Sequence, residues 1–176
     1  MGDLDSASEG DLAWALAEGA EVLSFPTDKD LTDLELALQH VDSHEAIDHV
    51  VVFGVGGGRL DHEMGNWAVC GARHRAAVDV VTRRGNVRIL RGDGRNEVVL
   101  SGEDGDVVSI IPRAGQAVGV TTNGLRWPLD DAVLYADASR GVSNQMNAAT
   151  ASVSLRTGVL FVVQPGSVGL ADLISS

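Results

Sequence analysis

Three stretches of this chain gather residues that could grip a metal ion or a phosphate. Near the start, Gly-Asp-Leu-Asp-Ser sets Asp3 and Asp5 two positions apart, so an extended backbone would turn both carboxylates to one side. Further on, Phe25-Pro-Thr-Asp-Lys-Asp-Leu-Thr-Asp-Leu-Glu35 collects Asp28, Asp30, Asp33, Glu35 and Lys29 at the entrance of a helix. The third stretch, Gly54-Val-Gly-Gly-Gly-Arg-Leu-Asp-His62, is a glycine-rich turn leading into another helix. Glycines such as Gly56 and Gly57 let backbone approach a ligand closely, and the open amides of a helix start favour anions. Arg59 adds a cation there and Asp61 an acid. The turn is not a dinucleotide fingerprint, whose last glycine would fall at Arg59, and no Gly-Lys-Ser/Thr follows to make a P-loop.

Each acid also has a plainer explanation. Asp33, Glu35 and Asp61 would sit in first turns, where a carboxylate complements the helix dipole. Thr32 and Glu35 fit a capping box. Asp28 and Asp30 precede the cap and are less well explained that way. If the three stretches converge, their carboxylates repel one another unless something positive lies among them. Magnesium is the expected guest, because it takes oxygen ligands and combines one or two carboxylates with substrate phosphates. Lys29 and Arg59 would then hold phosphate oxygens directly. Such a set suits transfer of a phosphoryl or pyrophosphoryl group, where catalysis is mostly positioning and charge neutralisation.

The elements that must carry these residues read as strand and helix in alternation. A helix is predicted from about Glu9 to Glu18 with Leu12 and Leu16 on one face, ended by Gly19. A short strand follows over Glu21–Phe25, then the capped helix to about His44. Asp48–Val55 is a nearly continuous apolar run of the kind buried on both faces of a parallel sheet. The helix after the glycine turn places Leu60, Met64, Trp67, Ala68 and Gly71 on one apparent core stripe, and Asp79–Thr82 adds a strand. This is α/β grammar, a parallel sheet with flanking helices. From Gly85 onward it changes to short β-rich runs punctuated by turn pairs, which predicts a sandwich or small barrel. The expected organisation is an α/β domain over residues 1–84 and an all-β sandwich over 85–176.

Composition narrows the partners. The chain has 176 residues and 44% hydrophobic content, enough for a real core. A net charge of −12 and the lack of a Lys/Arg cluster argue against nucleic acid and anionic membrane as partners. No apolar run has membrane-spanning length and the N-terminus does not read as a signal peptide. Cys70, the single cysteine, suits a reducing cytoplasm and reads as a buried thiol. In the second half, Gly124-Leu-Arg-Trp-Pro-Leu129 and Arg140-Gly-Val-Ser-Asn-Gln145 stand out, although Trp127 as core and Ser143-Asn144 as a turn would be ordinary.

Taken in order, GDLDS, KDLTDLE, GGRLDH, TTNGLRWPL and RGVSN resemble the motif set of the thiamine pyrophosphokinase family across essentially the whole chain. The resemblance implies a homodimer with ATP and magnesium on the acidic side and thiamine at the subunit interface. The implied reaction gives thiamine diphosphate and AMP. It carries metal binding to Asp3, Asp5 and Asp30, phosphate contacts to Lys29 and Arg59 beside Gly56 and Gly57, and orientation of the hydroxyl to Asp33 or Asp61. Thiamine contacts carry over to Trp127, Ser143 and Asn144. Family members usually begin with a strand-helix-strand segment, whereas GDLDS here starts at the second residue, so the parallel sheet is expected to be truncated at its start. A diphosphotransferase for a pterin-type alcohol, or a non-catalytic thiamine-binding or dimeric scaffold, are the alternatives.

Overall fold

The structure, a computed structural model, describes residues 8–26 and 28–166. Asp3 and Asp5 lie outside the described residues. Residues up to Ile47 form one compact unit and those from Asp48 onward another.

The first unit is built on two capped helices. In α1 (Glu9–Ala17) the Ser8 hydroxyl accepts the Asp11 amide at 3.1 Å, and Gly19 follows with a left-handed φ of 85°. The expected apolar face is not packed: none of the helix is buried, and Trp14 and Leu16 are exposed. Leu12 and Leu16 recur at helical spacing, but Trp14 on another side leaves the helix no single apolar stripe to bury. In α2 (Asp33–Asp42) one half of the expected capping box forms, Thr32 Oγ1 accepting the Glu35 amide at 3.3 Å, and Leu38 is buried. The strand expected over 21–25 reduces to a single bridged residue, Ser24. A strand needs a run of paired partners to satisfy its backbone, and the described residues supply that run only in the second unit.

The second unit is mostly β. Strand β1 (His49–Phe53), helix α3 (Leu60–Cys70) and strand β2 (Ala77–Thr82) make one parallel crossover, with His49 opposite Ala77. The remaining strands are β3 (Gly85–Arg91), β4 (Glu97–Ser101), β5 (Val107–Asn123), β6 (Ala132–Tyr135), β7 (Asn144–Gln145), β8 (Thr150–Ser154) and β9 (Thr157–Pro165). They pair in the order β1-β2-β3-β9-β5-β8-β4, with β6 and β7 also on β5. Every pairing after the first is antiparallel. Because β2 pairs with β3, hydrogen bonding runs unbroken through the Arg83-Arg84 turn.

β5 is what curls the sheet. The sequence reads as two strands, 107–111 and 117–121, but they form one strand with an irregularity between Arg113 and Val118. Ala114 and Gly115 take left-handed φ values of 54° and 102° there. Such a bulge bends the strand without ending it. Its first part pairs with β9 and its last residues with β8. Leu90, Leu100, Ile110, Val120, Leu134, Val153 and Leu160 thereby meet in one core. β4 shows the alternation clearly: Val98 and Leu100 point in while Glu97, Val99 and Ser101 point out.

α3 buries only part of the stripe its apolar residues predict. Leu60 and Met64 are 72% and 65% exposed. The packed side is Glu63, Asn66, Trp67 and Cys70, with Trp67 against Phe161 at 5.8 Å between ring centroids. Polar groups can take that side because the neighbouring glycine turn offers backbone partners, as Asn66 Nδ2 shows by donating to the Val55 carbonyl at 3.1 Å. Cys70 is fully buried and burial pushes its thiol up to about 12. A thiol reagent should therefore leave the native protein unmodified and label one site only on denaturation; rapid native labelling would contradict this burial. Among the described residues no helix is long and apolar enough to cross a membrane.

Candidate functional site

The clearest concavity of the second unit opens at the carboxyl ends of β1 and β2. Parallel strands with a crossover helix leave a crevice there, and ligands of open α/β sheets lie in such crevices. Phe53 and Val55 lead into the glycine turn on one side, and Thr82, Arg83 and Arg84 form the other wall, around about 900 Å³ of open space. Gly54 and Gly57 hold left-handed φ values of 78° and 105°, a conformation that glycine adopts without strain.

Arg59 and Asp61 stand at the start of α3, where the turn becomes helix. Arg59 forks onto Asp61 with Nε to Oδ1 at 3.1 Å and Nη2 to Oδ2 at 2.5 Å. The pair is open to solvent, 73% and 64% exposed. The guanidinium hydrogen bonds hold the Asp61 carboxyl down to about 2. Asp61 is therefore an anion at any pH near neutrality, suited to accept a hydrogen bond or ligate a cation and poorly suited to remove a proton as a base. Two of the five guanidinium hydrogens are engaged, so Arg59 keeps donors for an anion.

Two residues in this cleft carried no signal in the sequence reading. Glu63 sits inside the glycine turn, accepting from the Gly57 amide at 3.4 Å and from Arg84 Nη2 at 2.7 Å. The Gly57 amide is the main reason its carboxyl lies below the usual range, with Trp67 and Arg84 contributing. Glu63 and Arg84 are too far apart in sequence for spacing to connect them; only the β2–β3 turn brings them together.

A second pocket of about 430 Å³ lies on the β half, walled by Trp127, Pro128, Arg140, Val142, Ser143 and Asn144. Trp127 is half exposed, not core as the plainer reading had it. Asn144 is buried and its amide is committed to its neighbours. Its Oδ1 accepts from the Trp127 and Gln145 amides at 3.1 and 2.9 Å, and its Nδ2 donates to the Trp127 carbonyl at 2.7 Å. It therefore positions Trp127 through the backbone. Ser143 has a left-handed φ of 59° and donates its amide to Ser109 Oγ at 3.0 Å. The Arg126 guanidinium lies 5.3 Å from the centre of the Trp127 ring.

In the first unit, Lys29 Nζ, from the loop before α2, meets Asp33 Oδ1 in its first turn at 3.0 Å, and Asp30, next to Lys29 in sequence, is exposed. Thus Lys29 pairs with Asp33 and Arg59 with Asp61, Gly56 and Gly57 line the cleft whose walls do not include Arg59 or Asp61, and Trp127, Ser143 and Asn144 meet around the second pocket. Among the described residues no three His, Cys, Asp or Glu side chains cluster as a metal site. The expected metal set consists wholly of carboxylate oxygens, which is the donor chemistry magnesium takes.

Comparison with known proteins matches both halves of the chain. The family model for the thiamin pyrophosphokinase catalytic domain matches residues 1–81, and that for the thiamin pyrophosphokinase vitamin B1 binding domain matches 95–160. Thiamine pyrophosphokinase 1 of Oryza sativa subsp. japonica is 25% identical over 92% of this chain. The chain spans just under two thirds, 64%, of that relative's length. Thiamine pyrophosphokinase of Bacillus subtilis is 23% identical, covering 93% of this chain and 76% of its own. The crystal structure of a Bacillus subtilis thiamine pyrophosphokinase superposes with a TM-score of 0.75, covering 95% of this chain and 78% of that one. Thiamin pyrophosphokinase from Candida albicans keeps the fold at 12% identity, with a TM-score of 0.67 over 94% of this chain and 72% of its own.

Proposed function

The chain belongs to the thiamine pyrophosphokinase family, and from that premise we propose that it transfers the terminal pyrophosphoryl group of ATP to the hydroxyl of thiamine. The thiamine oxygen attacks the β-phosphorus, the bond from that phosphorus to the α–β bridging oxygen breaks, and AMP leaves. The hydroxyl proton passes to solvent. The observation that carries the reading is the coexistence, within one folded unit, of a glycine-turn cleft at the ends of β1 and β2 and an aromatic pocket around Trp127.

In this reading the phosphates lie along Gly56 and Gly57, with Arg59 and Lys29 as cations. Magnesium held by Asp3, Asp5 and Asp30 would neutralise the charge on the β- and γ-phosphate oxygens. Asp61, anionic and balanced by Arg59 in the free protein, or Asp33 orients the thiamine hydroxyl. Thiamine lies on Trp127 and beside Ser143. That the ring already carries the Arg126 cation supports its use for a positively charged thiazolium. Functionally the chain divides near Gly85 into a nucleotide-handling part, with β1-α3-β2 as the parallel core of an α/β arrangement, and a thiamine-holding β part. We place the enzyme in the cytoplasm as a homodimer, with the partner completing the thiamine site.

The test compares AMP formation from ATP and magnesium with thiamine and with a hydroxymethyl pterin. Thiamine-dependent AMP supports the assignment; AMP only with the pterin, or with neither alcohol, contradicts it. Asn144→Ala removes the backbone clamp on Trp127. It should raise the KM for thiamine about tenfold with a smaller change in kcat, because a loosened ring weakens binding rather than chemistry. An unchanged KM would mean that Trp127 does not meet the substrate.

A further inference from the structure

The glycine-turn cleft already contains an anion, and it is the chain's own. Glu63 leaves the first turn of α3 and reaches back under the turn. One carboxylate oxygen accepts the Gly57 amide at 3.4 Å and the other accepts Arg84 Nη2 at 2.7 Å. The Trp67 indole also favours the charged form of this carboxylate. The turn has been left open for this carboxylate: a Cβ on Gly56 would stand 2.9 Å from its nearer oxygen. A backbone amide of a glycine turn and a guanidinium, each on one oxygen of the same carboxylate, are donors that the oxygens of a phosphate would use.

We propose that Glu63 is an internal stand-in for a phosphate group of the nucleotide, and that Arg84 is the cation exchanged between them. In the free protein Arg84 holds the carboxylate; in the complex it turns to a phosphate oxygen and Glu63 is released. This rests on the reading of the cleft as the nucleotide site. Arg84 is 76% exposed, so its bond to Glu63 is of the solvent-screened kind that a polyphosphate can displace. Arg84 sits in the two-residue turn between β2 and β3, which lets its side chain move without disturbing either strand. Self-occupation lowers the apparent nucleotide affinity by the fraction of molecules in which the carboxylate is seated.

Calorimetry with magnesium-ATP, and with pyrophosphate, in the absence of thiamine tests this on the whole chain. Glu63→Gln keeps the shape but removes the competing charge and should bind both ligands about fivefold tighter. Glu63→Asp, too short to reach Arg84, should show the same gain. Arg84→Ala should bind about tenfold weaker, and the Glu63→Gln gain should vanish in its background. Circular dichroism and the thermal midpoint check that each variant is folded. Folded Glu63 variants with unchanged or weaker affinity overturn the proposal, because a competitor's removal cannot leave binding untouched. A wild-type chain that binds ATP, with the Glu63 gain present but no AMP formed with thiamine, supports the exchange and sinks only the transferase assignment. A wild-type chain that binds neither ligand sinks the exchange.

Discussion

Replacing Asp79 with asparagine should destabilise the protein by about 3–5 kcal/mol, because it breaks a buried ion pair from one side only. Asp79 is fully buried in β2. It accepts from Arg95 through Nη1 at 3.1 Å and through Nη2, and it meets His49 Nε2 of β1 at 2.9 Å. Arg95 Nη2 also reaches the Val78 and Ile89 carbonyls, at 3.2 and 3.1 Å, so one guanidinium ties β2, β3 and the β3–β4 connection together. Asparagine would turn an NH2 group towards these donors and leave the arginine charge without its counter-ion in a poorly solvated place. Urea unfolding would show a lower midpoint at unchanged slope, and the melting temperature should fall by about 10 °C. A loss below about 1 kcal/mol would mean that water reaches and screens the pair.

The second large effect is on turnover and not on stability. Asp61→Asn should lower kcat by about 10²–10³, the scale of removing one charged group that acts on the reacting centre. Its melting temperature should stay within error of the wild type, because Asp61 and Arg59 are both open to solvent and bury nothing. With the carboxyl held to about 2 by Arg59, Asp61 stays ionised as pH falls well below neutrality. Its folded value lies below the unfolded one, so the pair's contribution is present above the ordinary carboxylate range and lost only as pH falls through about 2. The acid limb of the pH–rate profile should therefore not come from Asp61. Steady-state rates of AMP formation for the two proteins, measured from pH 5 to 9, check both points. A variant that retains full turnover would remove Asp61 from the reaction.

These two aspartates show what the sequence could and could not tell. Asp61 could be singled out because it follows glycines and Arg59 at a helix start, and its pairing with Arg59 is written in adjacent residues. Asp79 was invisible: it sits in an otherwise apolar strand run, and its partners come from positions 49 and 95, joined only by the fold. Glu63 and Arg84 were missed for the same reason. Local signals fared well elsewhere. The Thr32 hydroxyl caps α2 as read and β6 matched its expected residues, while the apolar run became a strand over His49–Phe53 of which only Val52 is buried and Phe53 is exposed. Signals that depend on neighbours fared worse. The strand over 21–25 found pairing at Ser24 alone, and of the apolar stripe expected on α3, Leu60, Met64 and Ala68 faced outward while Trp67 packed beside Glu63 and Asn66. The break between 111 and 117 is a bulge in one long strand, since Pro112 and Gly115 read the same in a turn as in a bend.

Identifying the nucleotide left after a single turnover is the most direct test. Enzyme in excess over ATP, with magnesium and thiamine, is quenched and its products are separated by anion exchange. Attack at the β-phosphorus requires AMP and thiamine diphosphate in equal amounts, with no ADP. ADP with thiamine monophosphate would place attack at the γ-phosphorus and contradict pyrophosphoryl transfer.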